Sequence, residues 1–366
     1  MELNMTELFT AENDAHLNIV GINEKMINGW NEYFNNALSI NTENIVCVHN
    51  GLFHADDCMA MAIMLIAMKH CDSKLSVIRT RDEEILSDAT FCLDVSGSFD
   101  PEHGKLDHHQ RGGSGTFWKT MEEEIPMASC GLAWSFAGLQ AIKNILTSNN
   151  KDVAHLERIW VKLLPTMFGI DATDVGRSDA LGIYTGVTLP SFVSSFNVLE
   201  DAYTAKEQQH MQFEKIVNML VEHIVRCVLR EYASAQFETE CENAYSEMNE
   251  YGIMVLSVGG DWRSWMLRNW ERTQRVRVVV FPSGDSWRIQ TAPGSKANPM
   301  LMRCGAPMAI RGLRDDELNT YLHNEGIECN ATFIHPNGFM GGASTLEDAA
   351  VLAKYWVRNT PPATAA

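Results

Sequence analysis

The feature that most constrains this chain is a repeated switch between short apolar runs and longer apolar stretches. Ile45-Val-Cys-Val-His49 is five residues long, rich in β-branched side chains, and closed by Asn50-Gly51. That is the signature of a short buried strand followed by a turn. From about Asp57 to Lys69 the chain is almost wholly apolar, which reads as a buried helix. Lys74–Arg79 and Thr90–Val95 read as two further strands, and two helical stretches follow, about Ser129–Leu146 and Asp152–Phe168. Strands that alternate with helices predict an α/β fold built on a mainly parallel sheet, with helices on both faces.

Beyond this region the pattern changes. Residues 198–243 form one long amphipathic run, with Ile216, Leu220, Ile224 and Val228 on one face, and predict a helical connector. Short strands return at Ile253–Val258, Val276–Phe281, Trp287–Thr291 and Thr332–His335, and a helix from Thr345 to Val357 closes the pattern. A length of 366 residues fits two domains at about 150 residues each. The expected division is an N-terminal helical extension at 1–44, a first domain at 45–197, the connector at 198–250, and a smaller α/β domain at 251–366.

Charge follows the same boundary. Asp and Glu number 47 against 29 Lys and Arg, a net −18, yet residues 251–366 hold 12 bases and 10 acids. The acidic surplus therefore belongs to the first domain and its extension, which argues against coating of nucleic acid by bulk charge. The longest strongly apolar run, Cys58–Met68, is far short of the roughly 20 residues of a membrane span. Nine cysteines, an odd number with no C-x-x-C pair, predict free core thiols in a reducing compartment rather than a disulfide framework or zinc ribbon. Glu2, Glu7, Glu12 and Asp14 are unlike a signal or transit peptide, so an intracellular protein, cytoplasmic by default, is the expectation.

Histidine carries the chemistry. Six of the twelve (49, 54, 70, 103, 108 and 109) fall within 61 residues. His49 ends a strand, His54-Ala-Asp-Asp57 opens a helix, Asp94 ends another strand, and Asp107-His-His-Gln110 follows. Side chains at the carboxyl ends of parallel strands share one crevice, the usual ligand site of an open α/β sheet. An Asp before a helix is commonly an N-cap and a strand-end His commonly structural, but neither accounts for all of these in order within one unit. Carboxylates and imidazoles without cysteine suit Mn²⁺ or Mg²⁺, with Zn²⁺ also compatible. One tetrahedral site uses three or four ligands; the larger set here suits two metals, which can flank a transferring phosphoryl group. Asp171-Ala-Thr-Asp174 on its own reads as a loop or a helix cap. Arg263, Arg268, Arg272, Arg275 and Arg277, interleaved with Trp262, Trp265 and Trp270, read either as a solvated face over packed tryptophans or as a single-strand track.

Asp107-His-His resembles the signature of the DHH phosphoesterase superfamily, which includes RecJ nucleases and family II inorganic pyrophosphatases. More closely, the chain resembles the Myg exonuclease family. The resemblance lies in His49-Asn-Gly-Leu-Phe-His-Ala-Asp-Asp57, Asp94-Val-x-Gly97, Phe99-Asp-Pro101, Asp107-His-His-Gln-Arg111 and Asp171-Ala-x-Asp174. It continues through Trp287-Arg-Ile-Gln290, Arg311-Gly-Leu-Arg-Asp315 and Gly338-Phe-x-Gly-Gly342, and so runs from about residue 45 to 357.

The resemblance implies a DHH-type catalytic domain, a smaller DHHA1-like domain and two Mn²⁺ ions, with Mg²⁺ as the alternative metal. His49, His54 and Asp94 would hold one ion; Asp56, Asp94, His108 and Asp171 would hold the other, with Asp94 bridging. Asp107 would orient a histidine, His109 would face the scissile phosphate, and Arg111 would grip phosphate oxygens. In the second domain Arg288 and His335 could face substrate, and Gly341-Gly342, expected in a loop opening a helix, would offer backbone N–H groups to an anion. Ala343 stands where relatives often carry histidine.

The implied activity is a Mn²⁺-dependent phosphodiesterase, a 3′–5′ exonuclease on single-stranded RNA that uses a two-metal-activated water. Two alternatives stand beside it. One is a phosphohydrolase on short oligonucleotides, cyclic dinucleotides or pyrophosphate; the other is a non-catalytic nucleic-acid-binding scaffold. No membrane partner is expected, and the sequence leaves the oligomeric state open. Nucleus and mitochondrion are compartments of family relatives.

Overall fold

The computed structural model describes residues 18–19, 21–22, 24–41, 43–70, 74–120, 123–178, 187–199 and 201–360. Residues 1–17 of the expected N-terminal extension, and Cys71, lie outside these. The chain divides into two compact units, 1–232 and 233–366.

The first unit is built on a five-stranded sheet. Its strands are β2 (Glu43–Val48), β3 (Lys74–Arg79), β4 (Phe91–Leu93), β5 (Phe99–Asp100) and β6 (Lys105–Leu106), in the order β3-β2-β4-β6-β5. All pairs are parallel except β5 with β6 at the edge. Val46, Val48, Phe91 and Leu93 face a single core shared with α2 (Ala55–Met68) and α4 (Ser129–Ser148). Cys47 and Cys92 point to the other face, where the Cys92 thiol meets the Leu86 carbonyl of α3 (Glu83–Asp88). Helix α2 has thirteen buried residues of fourteen, which explains its nearly continuous apolar sequence.

The first described elements join the same core. In β1 (Asn18–Ile19), Ile19 pairs with Trp118 of β7 (Trp118–Lys119), and β7 pairs with β8 (Glu124–Ile125). Helix α1 (Glu24–Ile40) buries Ile27, Trp30 and Phe34. The Phe34 ring lies 5.4 Å from that of Phe91 and 5.7 Å from that of Phe136, tying α1 to strand β4 and to α4.

The helical stretch expected at Asp152–Phe168 is two helices, α5 (Leu156–Lys162) and α6 (Leu164–Asp174). The break falls just before Pro165, which starts a helix well and continues one badly. Asp171 and Asp174 thus occupy the last turn of α6 rather than a loop, three residues apart and on adjoining parts of one face. A short helix α7 (Leu189–Ser194) follows, capped by Thr188. Helix α8 (Lys206–Ser246) is 41 residues long; it begins in the first unit and ends in the second.

The second unit holds β9 (Ile253–Val255), α9 (Trp262–Arg268), β10 (Val278–Ser283), β11 (Ser286–Thr291), α10 (Asp315–Asn324), β12 (Ala331–Ile334), β13 (Met340–Ala343) and α11 (Leu346–Arg358). Its sheet has the order β12-β13-β11-β10-β9 and is antiparallel apart from β9 with β10.

Here the expectation for Gly341-Gly342 needs correcting. The two glycines lie inside β13, between β11 and β12, and not in a loop at a helix N-terminus. Helix α11 is capped instead by Thr345, whose side chain accepts from the Asp348 N–H at 3.1 Å. Packing explains the glycines: a Cβ at 341 would sit 2.6 Å from Ile334, and one at 342 would sit 2.6 Å from the Thr332 hydroxyl and 2.7 Å from the Phe333 ring.

The Trp/Arg segment is also mostly structural. Trp262 and Trp265 are buried, Arg268 pairs with Glu238 and Arg272 with Glu242, and Arg277 donates to the Thr360 carbonyl. Among the described residues no helix is long and apolar enough to cross a membrane, and the eight described cysteines are free thiols.

Candidate metal centre

The site grows out of four places in the first unit where the chain leaves one element for the next. Strand β2 ends and releases His49, which is 4% exposed; its Nδ1 meets the Asn50 carbonyl at 3.0 Å. That contact leaves Nε2 3.4 Å from an Asp94 oxygen and 3.5 Å from Asp57. His54 is the N-cap of α2, and its backbone N–H donates to Asp57 Oδ1 at 2.7 Å. The second Asp57 oxygen is buried with no hydrogen-bond partner. His49, His54 and Asp57 offer ligand atoms that all lie within 4.8 Å of one another.

Asp56, one residue earlier, points the other way. It accepts from the backbone N–H groups of Ser129 at 3.1 Å and Cys130 at 2.6 Å, the first free amides of α4. A helix N-terminus favours such an anion through its unpaired N–H groups and its dipole.

Asp94 follows β4 with φ +57°, an uncommon left-handed conformation for a side-chain-bearing residue. Its carboxylate meets three imidazoles: His108 at 3.1 Å, His109 at 3.2 Å and His49 at 3.4 Å, and it accepts from the Ser129 hydroxyl at 3.2 Å. Asp107 accepts from the backbone N–H groups of His108 and His109 at 2.7 and 3.0 Å, and from that of Gly97. It also contacts His109 Nδ1 at 2.9 Å. Asp107 therefore fixes the turn and the His109 ring, while His109 stays 60% exposed.

The last turn of α6 completes the centre. Asp174 lies 3.2 Å from His108 Nε2, and Asp56 lies 3.8 Å from the same nitrogen. Despite these neighbours, His108 Nε2 is buried and makes no well-aligned hydrogen bond. Asp171 is engaged elsewhere. It accepts from the Trp118 indole N–H at 2.7 Å and from the Gly131 N–H at 3.0 Å, and a Cβ at Gly131 would stand 2.1 Å from its oxygen.

Electrostatics fit this crowding. Burial, joined by repulsion from Asp94 and Asp174, raises the Asp56 carboxyl. Burial also raises Asp171, and it pushes Asp57 up to about 6. Burial opposes a charge on His108, but Asp174 and Asp94 outweigh it and push the imidazole up to about 11. Asp107 and Asp94 push His109 up to about 10. Asp94 is held well below the usual range, because its three imidazole neighbours overcome the burial that would raise it.

A buried carboxylate oxygen and a buried ring nitrogen without well-aligned hydrogen bonds, set among converging carboxylates, describe a cage for a cation. Oxygen and imidazole donors suit Mn²⁺ or Mg²⁺. The donor groups fall into four sets: His49, His54 and Asp57; Asp94, His108 and His109; Asp56, His108 and Asp174; and Asp56, Cys130 and Asp171. Asp94 touches His49 of the first and His108 of the third.

The structure thus gathers His49, His54, Asp56, Asp94, Asp107, His108, His109 and Asp171 in one region of the first unit. It adds Asp57 and Asp174, which sequence reasoning passed over, Asp57 as a cap and Asp174 as part of a loop. Arg111 is exposed on the glycine-rich turn after His109. Arg288, His335, Gly341 and Gly342 belong to the second unit. There the Arg288 guanidinium lies 5.3 Å from the centre of the Phe333 ring, and the His335 ring lies 4.4 Å from that of Phe339.

A model of the MYG1 exonuclease family, described as an uncharacterised protein family (UPF0160), matches residues 45–357. The chain belongs to this family. Its relatives include a MYG1 protein of Dictyostelium discoideum, 26% identical over 329 residues, covering 86% of this chain and 97% of the relative. They also include a MYG1 exonuclease of Mus musculus, 26% identical over 336 residues, covering 86% and 84%. Among solved structures, the exonuclease RecJ bound to manganese aligns over 91% of this chain and 95% of its own, at 14% identity and a TM-score of 0.27.

Proposed function

We propose that the chain is a Mn²⁺-dependent phosphodiesterase that removes nucleotides from the 3′ end of single-stranded RNA. The observation that carries this reading is the pair of donor sets, around His49 and around His108, that Asp94 joins. Membership of the MYG1 family and the exonuclease names of several relatives support nuclease chemistry. The RNA substrate and the 3′ polarity rest on the sequence resemblance alone.

His49, His54, Asp57 and Asp94 would hold one ion; Asp56, Asp94, His108 and Asp174 would hold the other. Asp174 is preferred to the first-expected Asp171 because it lies 3.2 Å from His108 Nε2, whereas Asp171 accepts from Trp118 and Gly131. When bound, two such ions supply Lewis acidity to the phosphate oxygens and lower the pKa of a water nucleophile. The chain's own part is positional. Asp107 anchors His109 through Nδ1, which leaves Nε2 to donate to the phosphate or to the departing oxygen. Trp118 and the first amides of α4 hold Asp171 and Asp56 in place. Arg111, exposed on the turn that precedes Gly112-Gly113, offers a two-pronged phosphate contact.

A second reading, short oligonucleotides as the substrate, is favoured by one observation. Arg268 and Arg272, candidates for a long-strand track, are spent on Glu238 and Glu242. The test is Mn²⁺ stoichiometry by equilibrium dialysis, followed by cleavage of a length series from dinucleotide to about twenty nucleotides. Two bound equivalents and Mn²⁺-dependent cleavage are expected. Fewer than two equivalents together with no cleavage would return the chain to a binding role.

A further inference from the structure

Beside the metal centre, within the first unit, lies a cavity of about 500 Å³, a size typical of small-molecule sites. His54, Asp56 and Asp174 form one side of it, so an occupant adjoins whatever group the centre binds. The other side is built by α6 and α7: Ile170 and Pro190 supply apolar surface, and Thr173, Thr188, Ser191 and Ser194 supply hydroxyls. Among the described residues, the wall built by α6 and α7 holds no lysine, arginine or aromatic ring, and the one ring in the cavity is the His54 imidazole on the metal-centre side.

That composition selects the ligand. On the wall away from the metal centre a second phosphate would find no cation and a nucleobase no ring to stack on. A sugar ring has what the cavity matches, an apolar C–H face and hydroxyls at its rim. The hydroxyls of the wall are not equivalent. Thr188 and Ser191 are interlocked in the cap of α7: Thr188 Oγ1 accepts from the Ser191 N–H at 3.2 Å, and the Ser191 hydroxyl donates to the Thr188 carbonyl at 2.9 Å. Thr173 donates its proton to the Gly169 carbonyl at 2.9 Å and keeps lone pairs to accept with. Ser194 makes no side-chain hydrogen bond within the described residues and so has a proton to give. Together Thr173 and Ser194 offer one acceptor and one donor, the complement of a 2′-hydroxyl, which both donates and accepts.

We propose that this cavity seats the ribose next to the scissile phosphate, and that Thr173 and Ser194 read its 2′-hydroxyl, so that the chain selects RNA over DNA at that nucleotide. This rests on the phosphodiesterase reading above.

The experiment uses the full chain with Mn²⁺ and four substrates. These are an all-ribose oligonucleotide, two copies carrying a single 2′-deoxyribose at the last or the next-to-last nucleotide, and bis(p-nitrophenyl) phosphate, which has no sugar. One of the two deoxy substitutions is expected to lower kcat/KM roughly tenfold, the scale of one or two hydrogen bonds. Ser194→Ala and Thr173→Val are expected to bring the ribo-to-deoxy ratio towards one, and Ser194→Thr to restore it. Equal rates on all three oligonucleotides, with bis(p-nitrophenyl) phosphate still hydrolysed, would overturn the sugar subsite and leave the phosphodiesterase standing. A variant that slows all four substrates alike would assign these hydroxyls a structural role and overturn it too. Hydrolysis of none of the four by the unmodified chain would remove both readings.

Discussion

Asp94 carries more of the site than any other side chain, since three imidazoles converge on one carboxylate held at φ +57°. Asn tolerates that backbone conformation well, so Asp94→Asn keeps the fold and removes the charge. Turnover falls by more than about 100-fold on the scale of disrupted metal sites, with the circular dichroism spectrum unchanged. A folded Asp94→Asn protein with full Mn²⁺-dependent activity would contradict the assignment. Asp174 and Asp171 separate two roles that lie three residues apart. Asp174→Asn weakens Mn²⁺ binding, read by dialysis, with little effect on stability, because the side chain is 18% exposed. Asp171→Asn leaves the Trp118 indole or the Gly131 amide poorly paired and costs about 1–3 kcal/mol in denaturant unfolding. The reverse pattern would restore Asp171 as the ligand. In the sequence His49, Asp56, Asp94 and His108 were legible because each stands where a strand or helix begins or ends. Asp57 was not, since a helix-opening acid is ordinarily a cap, and here it does cap, with one oxygen, while the other makes no hydrogen bond and faces His49 at 3.5 Å.

At the scale of elements, the alternation of short and long apolar runs located β2, β3, β4, α2 and α4 to within a few residues, because burial writes itself directly into hydrophobic period. It failed where packing needs small residues. Met340–Ala343 carries too little side chain to read as a strand, yet β13 lies between β11 and β12, where only glycine fits beneath Phe333 and Ile334. It failed also at α6, whose polar last turn looked like a loop. Helix α1 shows a further limit: the helical spacing of Trp30 and Phe34 was legible, but the Asn-rich sequence read as an appended extension and did not show that both rings belong to the first core, at 4% and 0% exposure. Phe34→Ala is therefore expected to cost about 3–5 kcal/mol, measured by urea unfolding. A cost below about 1 kcal/mol would show α1 to be dispensable to the core.

For the whole molecule, the acidic surplus and the metal centre are linked. Residues 251–366 are near neutral, so the repulsion that cations must relieve is concentrated in the first unit, above all at Asp56, Asp94, Asp171 and Asp174. A ligand that binds only the folded state at about 100 times its Kd adds ~2.7 kcal/mol. For a unit of this size that raises Tm by about 5–10 °C. Mn²⁺ should produce that rise and a chelator reverse it, measured by scanning calorimetry; an unchanged Tm would argue against an ion in the buried cluster.

The most direct test of the account follows the products from a single-stranded RNA of about twenty nucleotides, labelled at the 5′ end in one sample and at the 3′ end in another, with Mn²⁺, with chelator, and with Asp94→Asn. The account predicts a Mn²⁺-dependent ladder of 5′-labelled products shortening one nucleotide at a time, immediate release of the 3′ label as a mononucleotide, and neither in the variant. Shortening from the 5′ end, internal cuts, or cleavage indifferent to metal and to Asp94 would contradict it.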